Sequence, residues 1–110
     1  MITNIDSDHS LDQAFRQSET QPVLLFKHSA YCGVSFFARR EIEEVAEAGD
    51  VSVFEVVVQR ARPVSNRIAR DLGIRHESPQ VILVRDHAAI WDASHGRVLA
   101  ESIREALNPA

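Results

Sequence analysis

The sequence predicts a single α/β domain in which a small mixed sheet of about four strands is flanked by helices. The first indication is the continuous apolar run Val23-Leu24-Leu25-Phe26, which is typical of a strand covered on both faces. Two further runs rich in β-branched residues, 51–58 and 80–84, alternate with amphipathic helical segments. One domain spanning 1–110 is expected, because 110 residues with 45% hydrophobic side chains supply one core.

The N-terminal part of the chain predicts a short helix before the first strand. Ser10-Leu11-Asp12-Gln13 places a hydroxyl residue three positions before Gln, the pattern of a capping box. The helix carries Leu11, Ala14 and Phe15 inward and ends at Gln21-Pro22. Residues 1–9 can form a flexible N-terminal segment.

A second helix is predicted from Ser35 to Gly49, with an apolar rhythm made by Phe36, Phe37, Ile42, Val45 and Ala46. The strand at 51–58 follows it. Pro63 suits the first turn of a third helix that runs to Leu72, with Gly73 past its end. The strand at 80–84, a fourth strand at 89–91 and a final helix from about 98 to 107 complete the chain.

This order of elements, a helix, a βαβ unit, a helix, two antiparallel strands and a last helix, is the thioredoxin-like arrangement. In such a sheet the binding crevice lies beyond the carboxyl ends of the parallel strands. The loop after the first predicted strand, which contains Cys32, therefore opens onto that crevice.

Charge and cysteine content exclude several classes of function. A formal net charge of −4 and a pI near 5.7 argue against nucleic acid or an anionic membrane surface as a partner. The N-terminus lacks a basic segment followed by an apolar stretch, so no secretory signal is expected. One cysteine allows no internal disulfide and no structural zinc site, which favours the reducing cytoplasm and predicts no bound metal.

Cys32 is the candidate nucleophile, because it lies where a strand leads into a helix. The unpaired amides and the dipole at a helix N-terminus favour a thiolate. The alternative is a small buried hydrophobic residue. Ser35 either caps the helix or donates a hydrogen bond to the thiolate sulfur, and both roles are compatible.

Other candidate residues surround the thiol in the sequence. Lys27 could favour the thiolate as a cation, or it could be an ordinary solvated side chain. Tyr31 could flank an incoming small thiol, or it could cover the edge of the core. His76 could bind a polar ligand, or it could be a loop histidine with no role in the site. Gly33 and Val34 complete the predicted active-site turn.

The stretch from Leu24 to about His95 resembles the bacillithiol-linked monothiol bacilliredoxin (YtxJ-like) family. Four segments carry the resemblance: Leu24-Leu25-Phe26-Lys27-His28-Ser29, Arg62-Pro63-Val64-Ser65-Asn66, His76-Glu77-Ser78-Pro79-Gln80-Val81-Ile82-Leu83 and Trp91-Asp92-Ala93-Ser94-His95. The family usually has Pro-Ile between its Cys and Ser, where this chain has Gly33-Val34. The resemblance implies a cis proline at Pro79 beside the thiol, with Ser78 and Pro79 contacting an extended disulfide partner.

The resemblance implies that Cys32 removes bacillithiol or a similar small thiol from mixed disulfides on client proteins. The small thiol is then a co-substrate and no cofactor is bound. Cys32-Gly33-Val34-Ser35 is also similar to the Cys-Gly-Phe-Ser pattern of monothiol glutaredoxins, which would imply an iron–sulfur cluster shared by two chains. A non-catalytic binding module with the same fold is the third alternative. The sequence leaves the oligomeric state open.

Overall fold

The apolar runs of the sequence form the centre of a five-stranded mixed sheet in the computed structural model, which describes residues 1–108. The strands are β1 (Ile2–Asn4), β2 (Val23–His28), β3 (Ser52–Val57), β4 (Gln80–Arg85) and β5 (Ala88–Ser94). Their order in the sheet is β1-β3-β2-β4-β5. The first three strands are parallel, whereas β4 and β5 run antiparallel to their neighbours.

Helices cover both faces of the sheet. They are α1 (Asp8–Gln17), α2 (Gly33–Ala48), α3 (Arg62–Leu72) and α4 (Ala100–Leu107), with a 3-10 turn at His95–Arg97. The cores on the two faces follow the alternation of β2: Leu25 packs with α1 and α3, whereas Leu24 and Phe26 pack with α2 and α4. This is the predicted thioredoxin-like arrangement.

The N-terminus differs most from the sequence prediction. Ile2–Asn4 adds a fifth strand along β3, within the segment assigned to a flexible N-terminus. Helix α1 begins three residues earlier than predicted, because the capping box is formed by Ser7 and Ser10 rather than by Ser10 and Gln13. The Ser7 hydroxyl accepts from the Ser10 amide at 3.1 Å, and the Ser10 hydroxyl accepts from the Ser7 amide at 3.1 Å.

Helix α2 also differs from its prediction in the residues that face the core. The buried positions are Ser35, Ala38, Ile42 and the adjacent pair Val45 and Ala46, which form one stripe along the helix. Phe36 and Phe37 lie off this stripe and are 61% and 68% exposed. Their assignment to the inward face was wrong, because small Ser35 and Ala38 occupy the positions closest to the sheet.

No helix within residues 1–108 is both long and apolar enough to cross a membrane.

Candidate active site

Cys32 lies at the end of the sheet where the parallel strands have their carboxyl ends. It follows β2 after a three-residue loop and is the N-cap residue of α2, with extended backbone angles (φ −109°, ψ 122°). Its side chain is partly exposed. The alternative of a thiol enclosed in the core is therefore not what the fold produces.

The first turn of α2 favours the thiolate form of Cys32. The backbone amide of Ser35, followed by that of Val34, lowers the pKa of the Cys32 thiol below its usual value, and the Ser35 hydroxyl adds a smaller effect in the same direction. Partial burial opposes this shift. The Cys32 side chain makes no cap hydrogen bond, so the amides of Val34 and Ser35 can stabilise the negative charge of a thiolate.

Ser35 holds the shape of the loop in front of the helix. Its side chain is fully buried, and its hydroxyl accepts a hydrogen bond from the Ser29 amide at 3.2 Å. Gln59, in the turn after β3, holds the same loop by accepting from the Ala30 amide at 3.1 Å and donating to the Ser29 hydroxyl at 2.8 Å. Ser35 thus links the loop to the helix, while the N-cap position itself belongs to Cys32.

The loop before β4 reaches the same end of the sheet, because β4 runs antiparallel to β2 and Gln80 pairs with Lys27. The Ser78–Pro79 peptide bond is cis, as the resemblance implied, and Pro79 is buried. The Pro79 carbonyl accepts from the His95 amide at 2.9 Å. His95 Nε2 also lies 2.9 Å from Glu77 Oε2, so the 3-10 turn is joined to the Pro79 loop at two points.

Lys27 and His76 come together on the opposite face of the sheet from α2. Lys27 is fully buried, and its Nζ lies 3.1 Å from His76 Nδ1, with the Ser65 hydroxyl 3.4 Å from the same nitrogen. Burial lowers the pKa of Lys27 to about 8. Burial, and then the charge of Lys27, lower the pKa of His76. The alternative prediction of a solvated Lys27 is therefore wrong. The side chain is buried and faces α3 rather than α2.

Comparison with known proteins decides the family. A sequence profile of the monothiol bacilliredoxin BrxC family matches residues 3–103. The chain belongs to the monothiol bacilliredoxin family. The resemblance deduced from the four sequence segments is thus confirmed, and family membership together with the fold indicates a thiol-redox function.

Solved structures agree on the fold. The chain is 25% identical to a protein described as having a thioredoxin fold, with a TM-score of 0.88 over 96% of this chain and 92% of that one. A mutant thioredoxin from Halobacterium salinarum is 17% identical, with a TM-score of 0.78 over 96% and 87% of the two chains. A Schistosoma mansoni thioredoxin is 14% identical, with a TM-score of 0.78 over 96% and 97%.

Several apolar side chains close to Cys32 in the chain are exposed. Tyr31 is 87% exposed and Val34 44% exposed, so neither covers the core, and Phe36 and Phe37 follow on the same helix. The exposure of Phe36 and Phe37 could have been predicted from the sequence, because residues 35, 38, 42 and 45 already make a buried stripe with helical spacing. The sequence analysis did not assign this exposed apolar surface at the start of α2.

A cleft of about 300 Å³ lies between the first turns of α2 and the segment that follows β5. Val34 and Phe37 line it from α2, and His95, Gly96 and Leu99 line it from the segment after β5. We call it the side cleft. A larger cavity of about 490 Å³ lies between α1 and α3 and is lined by none of the candidate site residues.

Proposed function

We propose that Cys32 is the nucleophile of a monothiol thiol–disulfide exchange reaction that removes bacillithiol or a similar low-molecular-weight thiol from client proteins. The observation that carries this proposal is the position of Cys32: it is partly exposed, at the N-cap of α2, with a pKa lowered by the Ser35 and Val34 amides. A stabilised thiolate that solvent can reach is what disulfide exchange requires.

The reaction begins when the Cys32 thiolate attacks the sulfur of the small thiol in a mixed disulfide. A new disulfide forms between Cys32 and the small thiol, and the bond to the client protein breaks. The client leaves as a thiolate and takes a proton from solvent. The helix N-terminus then no longer holds a charge, because the sulfur of Cys32 is neutral in the mixed disulfide.

A second small thiol completes the cycle. The chain has no other cysteine, and the position one helical turn after Cys32 is the hydroxyl of Ser35, which cannot attack a disulfide. A small thiolate attacks the sulfur of the bound small thiol, forms a symmetrical disulfide and releases Cys32 as a thiolate. The low pKa of Cys32 favours this step because Cys32 is then a better leaving group. The lone thiol suits a reducing compartment such as the cytoplasm.

Intact-protein mass spectrometry tests the proposal. Incubation with a protein that carries bacillithiol on a cysteine is expected to transfer one bacillithiol mass to this chain and to free the client. Cys32→Ser is the matched control and is expected to gain no mass. Failure of transfer with the wild-type chain would contradict the proposal.

The two alternatives give different results in the same preparation. An iron–sulfur carrier would develop a visible absorbance band after anaerobic reconstitution, and Cys32→Ala would abolish that band. A binding module would retain a Cys32 pKa like that of an ordinary cysteine. A colourless protein with a thiol that ionises at low pH and accepts the small thiol supports the exchange reaction.

A further inference from the structure

We propose that His76 donates a hydrogen bond from its Nε2 to the client protein during disulfide exchange, and that Lys27 is the positioning residue that holds the His76 ring for this contact. The inference rests on the proposed function and deepens it, because it names a residue that recognises the client and a second residue that acts through the first. The observation behind it is the hydrogen bond of 3.1 Å between Lys27 Nζ and His76 Nδ1.

The buried ammonium of Lys27 needs an explanation other than stability. Lys27 is fully buried and forms no ion pair within residues 1–108, and burial lowers its pKa to about 8. A charge in such a place destabilises the folded chain, whereas an apolar side chain of the same length would not. Groups that are kept at a cost in stability are often parts of functional sites. The function of Lys27 therefore lies in what its ammonium does to His76.

Lys27 determines which nitrogen of the His76 ring carries the proton. An ammonium donates hydrogen bonds and accepts none, so His76 Nδ1 must be the acceptor of the bond from Lys27. The Ser65 hydroxyl lies 3.4 Å from the same nitrogen and contacts the same side of the ring from α3. The proton of the neutral ring is therefore on Nε2.

The charged groups around His76 keep the ring neutral at pH 7. Burial, and then the positive charges of Lys27 on β2 and Arg62 on α3, lower the pKa of His76. Glu77, in the same loop, acts in the opposite direction with a smaller effect. The ring thus presents one N–H donor, on the side away from Lys27.

The loop that carries His76 is fixed on both sides of this residue. Gln80, which is 1% exposed, donates from Nε2 to the Arg75 carbonyl at 2.9 Å. After His76, the Pro79 carbonyl accepts from a backbone amide of the 3-10 turn at 2.9 Å. Because Lys27 also holds Nδ1, the position of the ring is determined. Its Nε2 makes no hydrogen bond within residues 1–108 and is available to a ligand.

The loop before β4 and the loop that carries Cys32 begin at the same level of the sheet. Gln80 pairs with Lys27 in antiparallel register. Pro79, the residue before Gln80, therefore lies level with His28 at the end of β2. The chain continues from there to Cys32. A client whose disulfide reaches Cys32 thus lies next to the Pro79 loop.

The backbone before Pro79 is open to an extended peptide. Residues 75–78 are in no helix or strand, and their amides make no backbone hydrogen bond within residues 1–108. Free main-chain groups of this kind recognise an extended segment of a partner protein. His76 is the second of these four residues, so a segment paired with them passes its ring. The Nε2–H then donates to a carbonyl oxygen of that segment.

Exchange rates with two disulfides test the inference. One is the mixed disulfide of bacillithiol with a short peptide that contains one cysteine, and the other is the symmetrical disulfide of bacillithiol, which has no peptide. Transfer of bacillithiol to Cys32 is followed by mass spectrometry. The chains compared are the wild type, His76→Asn, Lys27→Met, the double variant and the control His87→Asn.

The variants are chosen so that the chain stays folded. In His76→Asn an amide oxygen can still accept from Lys27, but nothing replaces the Nε2–H. Lys27→Met removes a buried charge and keeps the length of the side chain. His87 lies in the turn at the other end of β4 with φ +66°, a conformation that Asn adopts readily.

His76→Asn is expected to lower the rate with the peptide disulfide by about three- to tenfold, the range for one hydrogen bond, and to leave the rate with the symmetrical disulfide unchanged. Lys27→Met should lower the same rate, and the double variant should be no slower than His76→Asn, because Lys27 acts through His76. His87→Asn should match the wild type. No loss in His76→Asn, or an equal loss with both disulfides, would overturn the inference while the proposed function stood.

Nitrogen chemical shifts of the His76 ring give a readout that a purely structural role of Lys27 would not move. At pH 7 the wild-type chain should show a neutral ring with its proton on Nε2. Lys27→Met should raise the pKa of His76, because a neighbouring positive charge is removed. A proton on Nδ1, or an unchanged pKa in that variant, would overturn the inference. If the wild-type chain reacted with neither disulfide, the proposed function would fail, and this inference with it.

Discussion

Replacement of Lys27 with Met tests how the buried ammonium affects stability. Lys27 is the only lysine of the chain and is fully buried, and its contact with a polar side chain is the 3.1 Å hydrogen bond to His76. Met has a similar length and no charge, so it can fill the same space. We expect the variant to be more stable than the wild-type chain at neutral pH. The free energy of unfolding of the wild-type chain should rise above pH 8, and that of the variant should not.

The magnitude follows from the pKa of Lys27. Burial lowers it from 10.5 to about 8, and one pH unit corresponds to about 1.4 kcal/mol. Below pH 8 both folded and unfolded chains hold the proton. Between pH 8 and 10.5 only the unfolded chain holds it, so the free energy of unfolding rises with pH by about 3 kcal/mol. At pH 7 Lys27→Met removes the cost of about 3 kcal/mol for keeping a buried ammonium charged, but it also loses a hydrogen bond worth about 1 kcal/mol. The variant is therefore predicted to be more stable by about 2 kcal/mol.

Urea unfolding at several pH values from 7 to 10.5 measures the difference between the two chains. Both carry Cys32→Ser, because the thiol would otherwise ionise in the same range. Tyr31 is 87% exposed and is present in both chains, so its ionisation cancels in the difference. A difference in unfolding free energy that stays constant from pH 7 to 10.5 would refute the reasoning, because a buried amine with a lowered pKa must produce a slope.

Three further predictions concern the site and its scaffold. The rate of Cys32 alkylation against pH should have a midpoint below that of an ordinary cysteine, and Ser35→Ala should raise it; an unchanged midpoint would show that the hydroxyl has no effect on the thiolate. Arg67 pairs with three carboxylates of α1 and α3, so Arg67→Met should cost about 1 kcal/mol in urea unfolding, and less in high salt; a loss independent of salt would contradict an ionic origin. Gly49 ends α2 with φ +73°, so Gly49→Ala should cost about 1 kcal/mol, and equal stability would contradict the strain argument.

The sequence predicted the elements that have strong local patterns. Continuous apolar runs and β-branched residues located β2, β3 and β4, and Gly49 and Gly73 marked the ends of α2 and α3. Strand β1 was not predicted, because three residues are too few to show a pattern and its pairing with β3 depends on tertiary contact. The capping box was predicted at the wrong residues. Ser7 and Ser10 each accept a hydrogen bond from the other's backbone amide, as Ser and Glu do in the usual motif.

The candidate site was predicted only in part for a similar reason. The position of Cys32 follows from the strand-to-helix transition, which is local. The pairing of Lys27 with His76 joins residues 49 apart in sequence and depends on which face of β2 meets α3. The side cleft depends on the approach of α2 to the 3-10 turn, and the partners of Glu41 and His95 are set by tertiary structure.

The short first strand has a consequence for solubility. Ile2–Asn4 occupies the outer edge of β3, which is otherwise rich in valine and fully capable of pairing with another chain. A protein shortened by its first five residues would present that row of unpaired amides and carbonyls to its neighbours in solution. Such a truncation is expected to promote edge-to-edge self-association, while the thiol, which lies beyond the carboxyl ends of the strands, would keep its local surroundings.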